Sequence, residues 1–151
     1  MKKLVKSWGR FLKVKAEIIS FSSEGKKIHS EKIIPRGLGK SYGDSSLAEN
    51  ILDLTTLKKI VHFDPLTGII EIESGVSIRE ILNLIVHAGW MLPIVPGTAD
   101  VTIGGAISAD IHGKNHMVKG SFSNHIVGMD VMLSSGEVVN CSAAKNSELF
   151  F

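Results

Sequence analysis

Apolar residues keep a clear helical period over one stretch. Ile78, Ile81, Leu82 and Ile85 fall at i, i+3, i+4 and i+7, which lines them along one stripe of a helix. Ser77 precedes the stripe as a capping residue, and Glu80 stands three residues on to complete a capping box. Gly89 supplies the left-handed residue that closes such a helix. The spacing predicts a helix over Ile78 to Ala88, with its Leu/Ile stripe in the core.

Elsewhere the apolar runs are short and bounded by Gly, Pro or Ser, which reads as strand. Lys32 to Pro35 is expected as a short buried strand stopped by Pro35. Ile51 to Leu54 is a second. Ile60 to Phe63 and Ile69 to Glu73 form a hairpin around Asp64-Pro65-Leu66-Thr67-Gly68, where Pro and Gly punctuate a turn. Ile126 to Leu133 and Glu137 to Cys141 pair across Ser134-Ser135-Gly136. Met91 to Thr98 carries Pro93, Pro96 and Gly97, so it runs extended and then turns. Thr102 to Ala109 is expected as a short helix with Gly104 and Gly105 in its first turn. Asn146 is placed to cap a last helix beginning Ser147-Glu148-Leu149.

Residues 1 to 22 mix Lys with Leu4, Val5, Trp8, Phe11, Leu12, Val14, Ile18 and Ile19. Their spacing is partly helical. They are read as a lead-in segment with a helix over Phe11 to Ser20, followed by a polar loop from Ser22 to Lys27. This order of elements, strand-rich with two or three helices, predicts an α+β fold. Residues 110 to 124 have no period and read as a long ordered loop. A loop of that length inside a compact domain is usually functional.

Two glycine-bearing stretches stand out against this framework. The first is Arg36-Gly37-Leu38-Gly39-Lys40-Ser41-Tyr42-Gly43-Asp44-Ser45. The second runs from Gly97 through Thr102-Ile103-Gly104-Gly105 to Ala109-Asp110-Ile111-His112. Gly39-Lys40-Ser41 mimics the end of a phosphate-binding P-loop, but the glycine that motif needs five residues earlier is Ile34. The dinucleotide fingerprint also fails, because its third glycine position is Tyr42. The physical reading that survives is a concave nest of backbone N–H groups, with Arg36 and Lys40 adding charge. Gly97-Thr98 and Thr102 to Gly105 are expected to place free amides near a helix start, a second anion site. Two such loops suit a pyrophosphate. The blander readings stay open here: an ordinary glycine turn for the first loop, and close helix packing for Gly104-Gly105.

His112, Lys114, Asn115 and His116 crowd the long loop. His112 and His116 have the spacing of a helical zinc pair, but Gly113 weakens the helix and no glutamate or cysteine stands nearby to complete the set. His29, His62, His87 and His125 read as surface or structural residues.

Composition adds limits rather than direction. The chain has 151 residues, 44% of them hydrophobic, and a formal charge of +2, which suits one globular domain without a nucleic-acid partner. Cys141 is the sole cysteine, so it forms no intrachain disulfide. No apolar run has the length of a membrane span. The basic start lacks a signal-like apolar region, so the expected setting is the cytoplasm. Asn140-Cys141-Ser142 fits a glycosylation pattern by chance.

Four stretches then carry a resemblance: RGLGKSYGD (36–44), LPIVPGT (92–98), VTIGGAISADIHGKNH (101–116) and GSFSNHI (120–126). In this order they closely resemble the FAD-binding half of the decaprenylphosphoryl-β-D-ribose oxidases. These belong to the PCMH-type flavin oxidoreductases that also include vanillyl-alcohol oxidase and p-cresol methylhydroxylase. The resemblance implies an α+β FAD-binding domain of two packed subdomains, one around a small parallel sheet and one around an antiparallel sheet. It implies a lead-in over 1–22 and the N-terminal part of that domain over 23–151, the substrate domain being absent.

By position, Arg36, Gly37, Leu38, Gly39, Lys40, Ser41, Tyr42, Gly43, Asp44 and Ser45 would wrap the pyrophosphate. Gly97, Thr102, Ile103, Gly104 and Gly105 would hold the other side of the cofactor. Ala109, Asp110, Ile111 and His112 would lie along the flavin, with Tyr42, His112 and Lys114 as the catalytic set. The implied chemistry is oxidation of a sugar hydroxyl, part of cell-envelope biosynthesis in that subgroup. Where some relatives carry a flavin-bonding histidine this chain has Lys40, which implies non-covalent FAD. Rival expectations are an aldonolactone or alditol oxidase, a nucleotide-phosphate binder using Gly39-Lys40-Ser41, and a non-catalytic piece that needs a partner chain.

Overall fold

The computed structural model describes residues 2–21 and 32–150. It has α+β architecture, built on one mixed four-stranded sheet and two antiparallel hairpins. Strands β1 (Lys3–Lys6), β2 (Lys13–Ser20), β3 (Ile34–Arg36) and β4 (Asn50–Asp53) form the sheet in the order β1-β2-β4-β3. β2 and β3 both run parallel to β4, and β1 is antiparallel to β2.

The helix expected over Phe11 to Ser20 is not formed; β2 occupies that segment from Lys13 onward. Lys13-Val14-Lys15-Ala16-Glu17-Ile18 alternates polar and apolar residues strictly, and a period of two belongs to a strand. Ala16 pairs with Lys3 of β1 and is completely buried. The polar loop expected over Ser22 to Lys27 lies outside the described residues.

β3 begins two residues later than expected and continues through Pro35 to Arg36. It is half-buried rather than buried, with Pro35 exposed. Proline is tolerated because β3 is an edge strand, and its missing N–H takes no ladder bond from the sheet. The β4 strand and the hairpin of β5 (Ile60–Phe63) with β6 (Ile70–Ile72) match the pattern closely.

Helix α1 spans Ile78–Ile85 and ends in a single 3-10 turn over Val86–Ala88, closed by Gly89 at φ 81°. The capping box is complete: Ser77 Oγ accepts from the Glu80 amide, and the Glu80 carboxylate accepts from the Ser77 amide. Helix α2 spans Ile103–Ser108. Ile78, Ile81 and Ile85 from α1 meet Ile103 and Ala106 from α2, with Val76, Ile94 and Phe122, to form the main core. This core fills the space beside the β5-β6 hairpin, whose Phe63, Ile70 and Ile72 pack against it.

Residues 110 to 124 are not a bare loop. They hold helix α3 (His116–Lys119) and a 3-10 turn over Phe122–His125. Both are single turns, too short for a period to be visible in the residues. β7 (Met129–Met132) and β8 (Val138–Cys141) form the last hairpin, with β7 shorter than expected. Ser147–Leu149 is one 3-10 turn. Asn146 precedes it at φ 49° without capping it, because its amide side chain donates to the Asn140 carbonyl instead. No described helix is long and apolar enough to cross a membrane.

Candidate functional site

The two glycine-bearing stretches meet. Gly37 lies directly against the side chain of Thr102, and a Cβ placed at position 37 would overlap the Thr102 hydroxyl. Thr102 is buried and caps α2, its Oγ1 accepting from the Gly105 amide at 3.3 Å. The convergence follows from the sheet. β3 delivers the chain at Arg36 to the edge of the molecule where α2 begins, and small residues let the two backbones close.

The first loop keeps its donors free. Among the described residues, none of the seven backbone amides from Gly37 to Gly43 donates to another group of the chain. Gly39 and Gly43 sit at φ 67° and 60°, a region that glycine enters without steric cost. Unspent amides on a turn that alternates in hand form an anion-binding concavity.

Arg36 is a brace beneath this loop. Its Nη1 donates to the Ser46 carbonyl and hydroxyl, both at 2.9 Å, and its Nη2 donates to the Lys6 carbonyl at 2.8 Å. Burial pulls its guanidinium down from the ordinary value, against the charge of Asp53. Lys40 Nζ lies 4.0 Å from the centroid of the Trp8 ring. Its charge also reaches Asp100, whose carboxyl is held below the ordinary range, first by the 2.7 Å hydrogen bond from Arg79 Nε and then by the charges of Arg79 and Lys40.

The second stretch is arranged differently from expectation. The amides at the start of α2 are not free: Ile103 donates to the Val76 carbonyl at 2.7 Å, Gly104 to Ser74 at 2.9 Å and Gly105 to Thr102 Oγ1. Ile78 and Arg79 of α1 donate in turn to Val101 and Ala99. Each helix start is thus satisfied by the lead-in of the other, with Ser77 and Thr102 bridged between them. Gly104 is required for this packing, since a Cβ there would stand 2.9 Å from Ser74 Cβ and 3.1 Å from its carbonyl oxygen. Ahead of the helix, among the described residues, the amides of Gly97, Thr98, Ala99, Val101 and Thr102 donate to no other group of the chain, while that of Asp100 donates to Thr98 Oγ1.

α2 ends in a Schellman turn. Asp110 takes the left-handed position at φ 39°, its amide donates to Ile107, and the Ile111 amide donates to Ala106. Glycine usually holds that position. Asp110 is kept there by a second tie: its Oδ1 accepts from the Ser123 amide at 2.8 Å. That bond is the main cause holding its carboxyl below the ordinary range, with contributions from Ser121 and the charge of His112.

The next residues are fixed by backbone. Phe122 donates to the Ile111 carbonyl, His112 bridges Ser121, and Asn115 Nδ2 donates to the Pro93 carbonyl at 2.9 Å. Gly113 is buried against the Val95 backbone. The turn therefore holds His112, Lys114 and His116 outward, all exposed, with the two imidazoles edge to face at 5.3 Å.

Tyr42 is 79% exposed at the tip of the first loop. No hydrogen bond or ring contact joins it to His112 or Lys114 among the described residues. Several partners had no local signal: Trp8, Ser46, Ser74, Val95 and Asp100 matter only because distant segments meet. A further cleft of about 430 Å³ opens beside the loop, with Ile18 and Ile51 in its lining and Lys3, Lys6, Gly37 and Leu38 around it.

A family model described as FAD binding domain matches residues 23–142. Decaprenylphosphoryl-beta-D-ribose oxidase of Mycolicibacterium smegmatis is 35% identical over 99% of this chain. Delta(24)-sterol reductase of Homo sapiens is 31% identical over 68% of the chain. The chain spans 35% of the length of the first and 18% of the second. The solved structure of a carbohydrate oxidase from Microdochium nivale, in complex with a substrate analogue, shares the fold. Its TM-score is 0.69 at 21% identity, over 79% of this chain and 26% of that one. With four-fifths of its residues under the family match, this chain belongs to the FAD binding domain family.

Proposed function

We propose that this chain is the cofactor-holding part of an enzyme that oxidises a sugar hydroxyl to a ketone, of the decaprenylphosphoryl-ribose oxidase kind. The observation that carries the reading is the seating of Gly37 on Thr102 beside seven unspent amides. A diphosphate needs many donors at once, and this loop offers them without a competing acceptor from the chain.

In this reading the amides of Gly37, Leu38, Gly39, Lys40, Ser41, Tyr42 and Gly43 hold the pyrophosphate. Arg36 shapes the loop from below, and Asp44 and Ser45 complete its outer wall. Gly97 adds an amide, while Thr102, Ile103, Gly104 and Gly105 form the rigid opposite wall. Ala109, Asp110, Ile111 and His112 lie along the ring system. FAD, when bound, supplies the hydride acceptor. The exposed His112 ring takes the hydroxyl proton, Lys114 sets a positive charge beside developing negative charge, and Tyr42 lines the approach. Lys40, held over Trp8, supports non-covalent FAD.

Residues beyond this chain supply the sugar pocket in this reading, whether from a longer polypeptide or a second chain. The single buried Cys141 accords with a reducing setting such as the cytoplasm.

The test is direct. The purified chain is incubated with FAD, desalted, and examined for flavin absorbance; a yellow protein whose colour is released by acid precipitation is expected. Binding of ATP with magnesium and no binding of FAD would overturn the assignment.

A further inference from the structure

We infer that the turn between β1 and β2 is a brace for the glycine loop, with Trp8 as the residue that positions Lys40 at the edge of the anion cradle. The inference rests on reading that loop as the pyrophosphate cradle. A loop whose amides are kept for a ligand cannot use them to hold its own shape. Gly37, Gly39 and Gly43 make the difficulty worse, because glycine has the largest backbone freedom to lose. The shape has to come from neighbours. Thr102 is one wall; the N-terminal turn is the other.

Three separate links join that turn to the loop. Arg36 Nη2 donates to the Lys6 carbonyl at 2.8 Å. The Trp8 amide donates to the Ser41 carbonyl at 3.2 Å. The Lys40 ammonium sits over the Trp8 ring at 4.0 Å, within cation–π range. The turn is itself rigid. Ser7 is buried, its amide donates to Leu12 and its carbonyl accepts from Arg10, each at 3.0 Å. Arg10 is held at φ 62°. The family match begins at residue 23, so the brace comes from a segment ahead of the matched domain and acts on a loop inside it.

Trp8 is a positioning residue: it fixes the ammonium where a bound anion can draw it inward, while its amide fixes the carbonyl side of Ser41 and so turns the loop's N–H groups outward. Two readouts test this in the 151-residue chain. The first is affinity for ADP by calorimetry and for FAD by flavin fluorescence. The second is the rate of tryptic cleavage after Lys40 without ligand, which reports whether that side chain is parked.

Trp8→Ala is expected to weaken ADP and FAD binding about fivefold. It is also expected to speed cleavage at Lys40 by a similar factor, with Trp8→Phe restoring both. Lys40→Gln, which leaves Trp8 in place, should weaken ADP binding at least as much. Trp8→Ala that binds ADP like the wild type overturns the inference, and if that variant does not fold, wild-type ADP affinity in Lys40→Gln does so. A wild type that binds neither ADP nor FAD overturns the pyrophosphate reading instead, and the cleavage rates then decide the brace alone.

Discussion

Gly37 is flush with the Thr102 side chain, leaving no room for even a methyl group between the first glycine loop and the cap of α2. Gly37→Ala should therefore push the two walls of the site apart. Overpacking of this kind costs about 1–3 kcal/mol. Thermal melting should fall accordingly, and FAD affinity should fall with it. Thr102→Ala removes the obstructing hydroxyl together with its cap, so the double variant should be more stable than the sum of the single losses predicts. Strict additivity in that cycle would mean that the two positions do not touch.

Gly104→Val separates packing from ligand contact. A side chain there meets Ser74, not the open side of the site. The expected result is a fall in melting temperature equivalent to a few kcal/mol, with cofactor loss as a consequence of misfolding. A variant that melts normally but no longer retains FAD would show that the backbone of Gly104 faces the ligand.

Asp110 holds a left-handed position and a hydrogen bond at once. Asn keeps an acceptor oxygen and tolerates that conformation, so Asp110→Asn should melt close to the wild type. Asp110→Ala loses both and should melt lower. Equal melting of the two variants would remove Asp110 as the pin between α2 and the 122–125 turn.

His112 has no side-chain hydrogen bond within the described chain, and its ring is exposed. His112→Ala should change stability by no more than about 0.5 kcal/mol while weakening flavin binding. A large loss of stability, read by chemical denaturation, would make the residue structural.

Acid should weaken α1 through Glu80. Its carboxyl is held below the ordinary glutamate range, first by the Ser77 hydroxyl, then by the Ser77 amide and by Lys58. A carboxylate with a lowered folded pKa adds stability above its unfolded value, about 4.3, and loses it as pH falls through the folded value. Stability measured from pH 7 down to 2.5 should fall less steeply for Glu80→Gln. Ser77→Ala should cost about 1 kcal/mol at neutral pH.

Local pattern was enough for much of this molecule. The stripe of α1 and its capping box, the β5-β6 hairpin and the start of α2 are each set by residues within a few positions of one another, so they are legible in order along the chain. The family was legible for the same reason, because RGLGKSYGD and DIHGKNH are continuous runs.

Segments far apart in the chain decided the remainder. The alternation over Lys13 to Ile18 is local, but that β1 and β4 are the strands pairing on either side of it was decided by the fold. The α2 amides are spent because Val76 and Ser74 arrive beneath them. Arg36 is tied to Ser46 and Lys6, residues that lie far from it in the chain. Hydrogen bonds and overlaps of this kind depend on which backbones close in space, and no residue announces its distant partner.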